Sequence, residues 1–208
     1  MNLEARPKPR KRPSQARAKF TVLAIYEAFV RIWRLRGWAR LSTRAVALET
    51  GISVGTLYEY FPNKDALLSG YVRHCIDWML ECIDREVVAA TQLQWRDRVG
   101  LLVRISGGAF GKDTPYYDQK MLLLETRIAE AKHHRRVFDE LSERWKRALG
   151  ALDDAPATLD DAAIRALVLL VMGARRYSLL IDVAEDMPWI AEVTQLCIRR
   201  IEVEADSM

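Results

Sequence analysis

Cysteine is scarce in this chain of 208 residues: Cys75, Cys82 and Cys197 are too few and too scattered for a disulfide framework. A reducing cytoplasm is the expected compartment. Long apolar runs are missing as well. The most apolar stretch, Ala166 to Ile181, is interrupted by Arg175 and Arg176 and falls short of the roughly 20 residues that span a bilayer. It predicts a buried or interface helix, and no membrane is expected as a partner. The first residues are charged and proline-rich where a secretory signal needs an apolar core. No alternating strand pattern, Asn-Gly hairpin or internal repeat is visible, which argues against sheets and solenoids. A Gly-rich phosphate loop, a nucleophile elbow and paired catalytic carboxylates are likewise missing, so an enzyme is disfavoured.

Histidine is just as sparse. His74, Cys75 and Cys82 lack the three- or four-residue helical spacing of metal ligands, and the adjacent His133 and His134 face different ways. Neither a metal nor a cofactor is expected. Structural or surface roles suit these residues, with a redox role for Cys75 and Cys82 as the open alternative.

What is present is a charge asymmetry. The formal net charge is only +4, yet Met1 to Gly70 carries 13 basic and 5 acidic residues, against 19 and 23 from Tyr71 onward. The first third therefore attracts a polyanion and the remainder does not. Within it, residues 2–13 interleave Arg6, Lys8, Arg10, Lys11 and Arg12 with three prolines, which predicts an extended basic arm. Such an arm either tracks phosphates and a narrow minor groove or merely solubilises the chain.

Helical periodicity covers most of the chain beyond the arm. A first helix is expected from an N-cap at Ser14 to about Arg36, with Phe20, Leu23, Ala24 and Ala28 as its apolar stripe and Gly37 as its stop. Short helices then run from Ser42 to Thr50 and from Ser53 to about Tyr60. Pro62 and a capping Asn63 precede a long helix from Lys64 to about Ala90, striped by Leu68, Val72, Cys75, Ile76, Met79, Ile83 and Val87. Further helices are expected near residues 94–110, 117–131, 133–151, 159–184 and 188–204. Thr158 with Asp161 resembles a capping box, and Pro188 suits a first helical position. The fold class is all-α, about nine helices: a basic arm (1–13), a helix-turn-helix domain (14–70) and a larger helical domain (71–208).

The segment LSTRAVALETGISVGTLYEYFPNKDALL, Leu41 to Leu68, carries the functional signal. Two short helices flank a tight turn at Thr50-Gly51-Ile52, where Gly51 supplies backbone freedom. Ala45, Val46, Leu48, Ile52 and Leu57 offer a small shared core. The second helix opens with Ser53, Val54, Gly55 and Thr56, whose small side chains let a helix N-terminus enter a major groove. This is a helix-turn-helix on physical grounds. From about Ala16 to Gly70, and most closely over GISVGTLYEYFPNKDALL, the sequence also resembles the TetR family of regulators.

The resemblance implies roles. Thr43 and Tyr58 hold backbone phosphates, Lys64 adds a charge-assisted phosphate contact, and Arg44 reaches a base edge. Val54, Gly55 and Thr56 face the bases, and Ser53, which opens the same helix, is a further DNA-binding residue. Val54 and Gly55 carry no side-chain donor, so hydrogen-bond readout is thin and Thr56 and Tyr60 share it with thymine-methyl contacts. Leu57 and Phe61 anchor the core. Read one at a time, Tyr58 and Tyr60 are packing residues and Arg44 and Lys64 surface charges; their joint spacing favours DNA.

The family also implies a homodimer on a palindromic double-stranded operator, released when a small-molecule effector shifts the long fourth helix. Trp78, Met79, Trp95, Phe110, Tyr117, Met121, Trp145 and Met172 are the candidate lining of an effector pocket, the alternative being ordinary core. They point to a hydrophobic or aromatic effector. Arg175 and Arg176 face either that pocket, where they favour an anion, or partner carboxylates. Leu167, Val168, Val171, Met172, Leu179, Ile190, Val193 and Ile201 are expected to pair with a second subunit, with Gly173 and Ala174 permitting close approach. The alternative to a repressor is a DNA-binding activator without small-molecule release.

Overall fold

The computed structural model describes residues 16–109, 116–182 and 188–206, and among these the regular structure is entirely helical. Nine α-helices are described, in order: α1 (Ala16–Arg40), α2 (Thr43–Thr50), α3 (Val54–Tyr60), α4 (Lys64–Ile83), α5 (Trp95–Ser106), α6 (Gln119–Leu122), α7 (Ala131–Gly150), α8 (Asp161–Leu180) and α9 (Trp189–Asp206). The chain divides into two compact units, Met1–Cys75 with Lys112–Glu130, and Ile76–Gly111 with Ala131–Met208. Residues 116–130, expected within the second domain, group with the helix-turn-helix.

In the first unit, α1 buries Val22, Ile25, Tyr26, Phe29 and Ile32. This face is rotated from the expected stripe: Ala28 is buried, but Phe20 stands in solvent. The larger side chains at 25, 26 and 29 remove more apolar area from water and set the phase. Gly37 interrupts α1 with φ of 68°, a conformation that glycine adopts at no steric cost, so the chain turns here before Trp38 rather than stopping. Local caps govern the next three helices. Ser42 accepts from the Ala45 N–H at 3.1 Å, Gly51 closes α2 in the left-handed region, Ser53 accepts from the Thr56 N–H at 2.9 Å, and Asn63 accepts from the Ala66 N–H at 2.8 Å. Val46, Ala47, Leu57 and Phe61 form the shared core, whereas Leu48 is exposed and Ile52 half-buried.

Residues 117–131 do not form one helix. Asp118 caps a single α-turn, α6, by accepting from the Met121 N–H at 2.9 Å, and the chain then tightens into a 3₁₀ turn over Leu123–Arg127. In the second unit, α4 gives way to a π-helical stretch, Asp84–Val88. Arg98 of α5, only 2% exposed, donates to the carbonyls of Val87 (3.0 Å), Val88 (3.2 Å) and Ala151 (2.7 Å). Its charge thereby rests on the carbonyl ends of two helical segments, where the backbone dipoles favour a cation. Trp145 is fully buried and donates from Nε1 to Ser106 Oγ at 2.9 Å. Asp160, not Thr158, caps α8, accepting from the Ala163 N–H at 2.7 Å. That helix ends at Leu180, ahead of Asp182 with its φ of 59°. Among the described residues no helix is long and apolar enough to cross a membrane.

Candidate nucleic-acid interface

The small core under α2 and α3 fixes which side chains remain free. Leu57 is fully buried, and a helix of seven residues pinned by it must turn its first residues outward. Ser53, Val54 (38% exposed) and Gly55 are accordingly exposed, Thr56 is half-buried and Tyr58 is 42% exposed. An added Cβ on Gly55 would meet only Ser53 Oγ, at 3.6 Å. Among the described residues nothing requires a glycine there.

Of the residues expected to touch phosphate, two are tied together. Thr43 is buried at the start of α2, and its Oγ1 donates to the Tyr58 hydroxyl at 3.4 Å. This contact links the two short helices and restricts the phenol. Arg44, one residue on, is exposed and makes no hydrogen bond or ion pair among the described residues. Lys64 is half-buried at the start of α4; its Nζ donates to the Trp38 carbonyl at 3.0 Å and lies 4.3 Å from the Trp38 ring centroid. An ammonium has three donors, so two remain for a ligand. The Thr56 hydroxyl, expected with Tyr60 to read bases, is shared with Ser53 Oγ at 2.9 Å, which restricts it. Tyr60 is half-buried, its ring 6.3 Å from that of Phe61. Arg10, Lys11 and Arg12 lie outside the described residues.

Several residues that tie α1 and α4 to the segment at the start of α6 escape sequence reading. Arg34 Nε donates to Asp118 at 2.8 Å and Arg34 Nη2 to the Tyr117 carbonyl at 2.6 Å. The Tyr71 hydroxyl accepts from the Asp118 N–H at 3.0 Å, and burial pushes this phenol above its ordinary range, keeping it protonated. Tyr26 stacks on His74 at 5.2 Å between centroids, and His74 lies 5.5 Å from Tyr116. His74 therefore packs in an aromatic cluster. Among the described residues no group of three or more His, Cys, Asp or Glu is placed to hold a metal ion. The signal for Trp38 was the glycine before it; none marked Asp118.

The effector-pocket candidates fall in both units. Tyr117 and Met121 are buried in the first. In the second, Met79, Trp95 and Trp145 are buried, Trp78, Met172 and Arg175 are half-buried, and Arg176 is exposed. Phe110 lies outside the described residues. Of the residues expected to pair between subunits, Leu167, Val168, Val171, Leu179, Ile190, Val193 and Ile201 are covered within this chain. The exposed apolar positions on α8 and α9 are instead Leu169 (60%), Leu170, Tyr177 (64%), Leu180, Leu196 and Val203.

Residues 17–70 match the family model described as bacterial regulatory proteins, tetR family. A comparison with curated proteins gave no match. Solved structures resemble the chain over most of its length. A TetR-family transcriptional regulator from Streptomyces coelicolor is 22% identical, covering 89% of this chain and 99% of its own, with a TM-score of 0.58. A TetR transcription regulator from Haloarcula marismortui is 21% identical, covering 91% and 98%, with a TM-score of 0.62. The SmeT–triclosan complex is 16% identical, covering 89% and 91%, with a TM-score of 0.59. At these identities the likeness establishes the fold.

Proposed function

We propose that this chain, whose residues 17–70 match the model of bacterial regulatory proteins of the tetR family, is a ligand-responsive repressor that binds a palindromic operator as a dimer. The observation that carries the reading is the outward first turn of α3, Ser53 to Thr56, held over a fully buried Leu57. Exposed there with it are Arg44 and Tyr58, and the basic excess of the first third supplies the attraction to phosphate. Thr43 acts by orienting Tyr58, and Lys64 by offering its remaining donors.

The dimer forms through α8 and α9. Residues 166, 169, 170, 173, 177 and 180 recur at helical spacing, apolar or glycine throughout, and a Cβ on Gly173 would meet nothing within 4 Å. An apolar stripe of this kind is covered by association more readily than left in water. Two subunits each present one α3, which is why the operator is a palindrome.

The effector is hydrophobic or aromatic and lodges in the second unit; the supply of Trp78, Met79, Trp145 and Met172 there supports this class. Binding acts on the helix-turn-helix through α4, whose first residues belong to one unit and last residues to the other. The protein works in the cytoplasm, without catalysis. Deleting the gene and measuring the transcripts beside it tests the sign of regulation. A rise fits a repressor, and a fall replaces the proposal with an activator.

A further inference from the structure

Four cations surround Trp38 in sequence or in space, and none has an ion-pair partner among the described residues. Arg36 and Arg40 flank it on the turned end of α1 and are exposed. Lys64 Nζ lies 4.3 Å from its ring, and the guanidinium of Arg127, at the end of the 3₁₀ turn, lies 5.5 Å from the same ring. Arg127 is exposed, and its side chain makes no hydrogen bond or ion pair among the described residues. By contrast, Arg31 of the same unit pairs with Glu27 and Glu49, and Arg34 with Asp118. Around Trp38 the charge is left open.

The geometry of the pair is specific. Both distances run to one centroid, so the two charges lie no farther apart than their sum. One strand of B-DNA places a phosphate about every 3.4 Å of helix axis. Two cations bounded in this way are close enough to contact one stretch of a single strand. Trp38, engaged by Lys64 through both its ring and its backbone carbonyl, limits the rotamers of Lys64 and lowers the entropy lost when an anion arrives.

We propose that Arg127 is a DNA-phosphate ligand, acting with Lys64 beside Trp38, so that the segment after α6 forms part of the operator interface. This rests on the regulator reading and extends it beyond the helix-turn-helix. It gives the first unit a reason to include residues 119–127, which Arg34 and Tyr71 hold in place through Tyr117 and Asp118. A displacement of that segment removes a phosphate contact directly.

The test is the salt dependence of binding to a duplex that the wild-type protein has enriched from a random pool. Wild type, Arg127→Ala and Arg127→Lys are titrated over a range of salt, with unchanged circular dichroism required of each. Each phosphate contact contributes about 0.9 to the slope of log K against log salt. Arg127→Ala should flatten the slope by about 1.8 per dimer, with two copies on a palindrome, and Arg127→Lys should keep it. A merely structural role would lower affinity without changing the slope. A wild-type slope in Arg127→Ala overturns the inference, whatever the affinity. If the wild-type protein enriches no duplex, the regulator reading itself fails.

Discussion

Replacing Gly55 by alanine should move stability and DNA affinity in opposite directions. Gly55 is the second residue of α3 and its φ is not in the left-handed region. The new methyl would meet only Ser53 Oγ, at 3.6 Å, an ordinary contact. Glycine in a helix costs about 0.5–1 kcal/mol relative to alanine, so Gly55→Ala should stabilise the fold by up to ~1 kcal/mol, less for a position this near the helix start. In a chain of this size that raises the thermal midpoint by roughly 2–4 °C per kcal/mol. If the α3 backbone meets the floor of a major groove, the same methyl occupies space that DNA must fill. The helix then has to withdraw, and a loss of about 1.4 kcal/mol already means tenfold weaker binding. Thermal denaturation and fluorescence anisotropy on one duplex measure both effects. Higher stability with unchanged affinity would show that DNA does not approach Gly55. Lower stability would contradict the helical geometry of α3.

Other outcomes rest on the packing. Arg98→Met preserves bulk but leaves the carbonyls of Val87, Val88 and Ala151 without their donor; a loss of about 3 kcal/mol is expected in denaturant unfolding, and a loss below about 1 kcal/mol would refute the capping role. Cys75, Cys82 and Cys197 are buried, and burial pushes the Cys82 thiol up and that of Cys197 up to about 12. At neutral pH Cys82 and Cys197 stay protonated, and all three thiols are covered, so an aromatic disulfide reagent should titrate almost no thiol until the protein unfolds; a fast-reacting thiol in the native state would contradict this. Leu169→Glu together with Tyr177→Asp places charges on the exposed stripe of α8 and should yield a folded monomer in sedimentation. A dimer that survives the pair would move the interface elsewhere.

The helix-turn-helix was legible because its determinants are local. Ser42, Gly51, Ser53 and Asn63 each act on backbone groups within a few residues, and each caps as its residue type predicts. Features set by distant partners were not. The start of α6 depends on Arg34 and Tyr71, both far from Asp118 in sequence, so periodicity over residues 117–131 suggested one long helix. The buried face of α1 was misphased because Phe20 fits a helical stripe equally well by pattern. Helices α8 and α9 each carry apolar residues on two faces, and pattern alone does not say which is covered inside the chain. Arg98 did leave a trace: it falls on the stripe of Trp95, Val99 and Leu102, where a charge needs a buried partner.

The central claim, that the face built by α2 and α3 reads DNA, is tested most directly by selecting bound sequences from a random duplex pool at fixed salt. Enrichment of a palindrome is predicted, with two half-sites related by the two-fold axis of the dimer. A folded, dimeric protein that enriches nothing would contradict it.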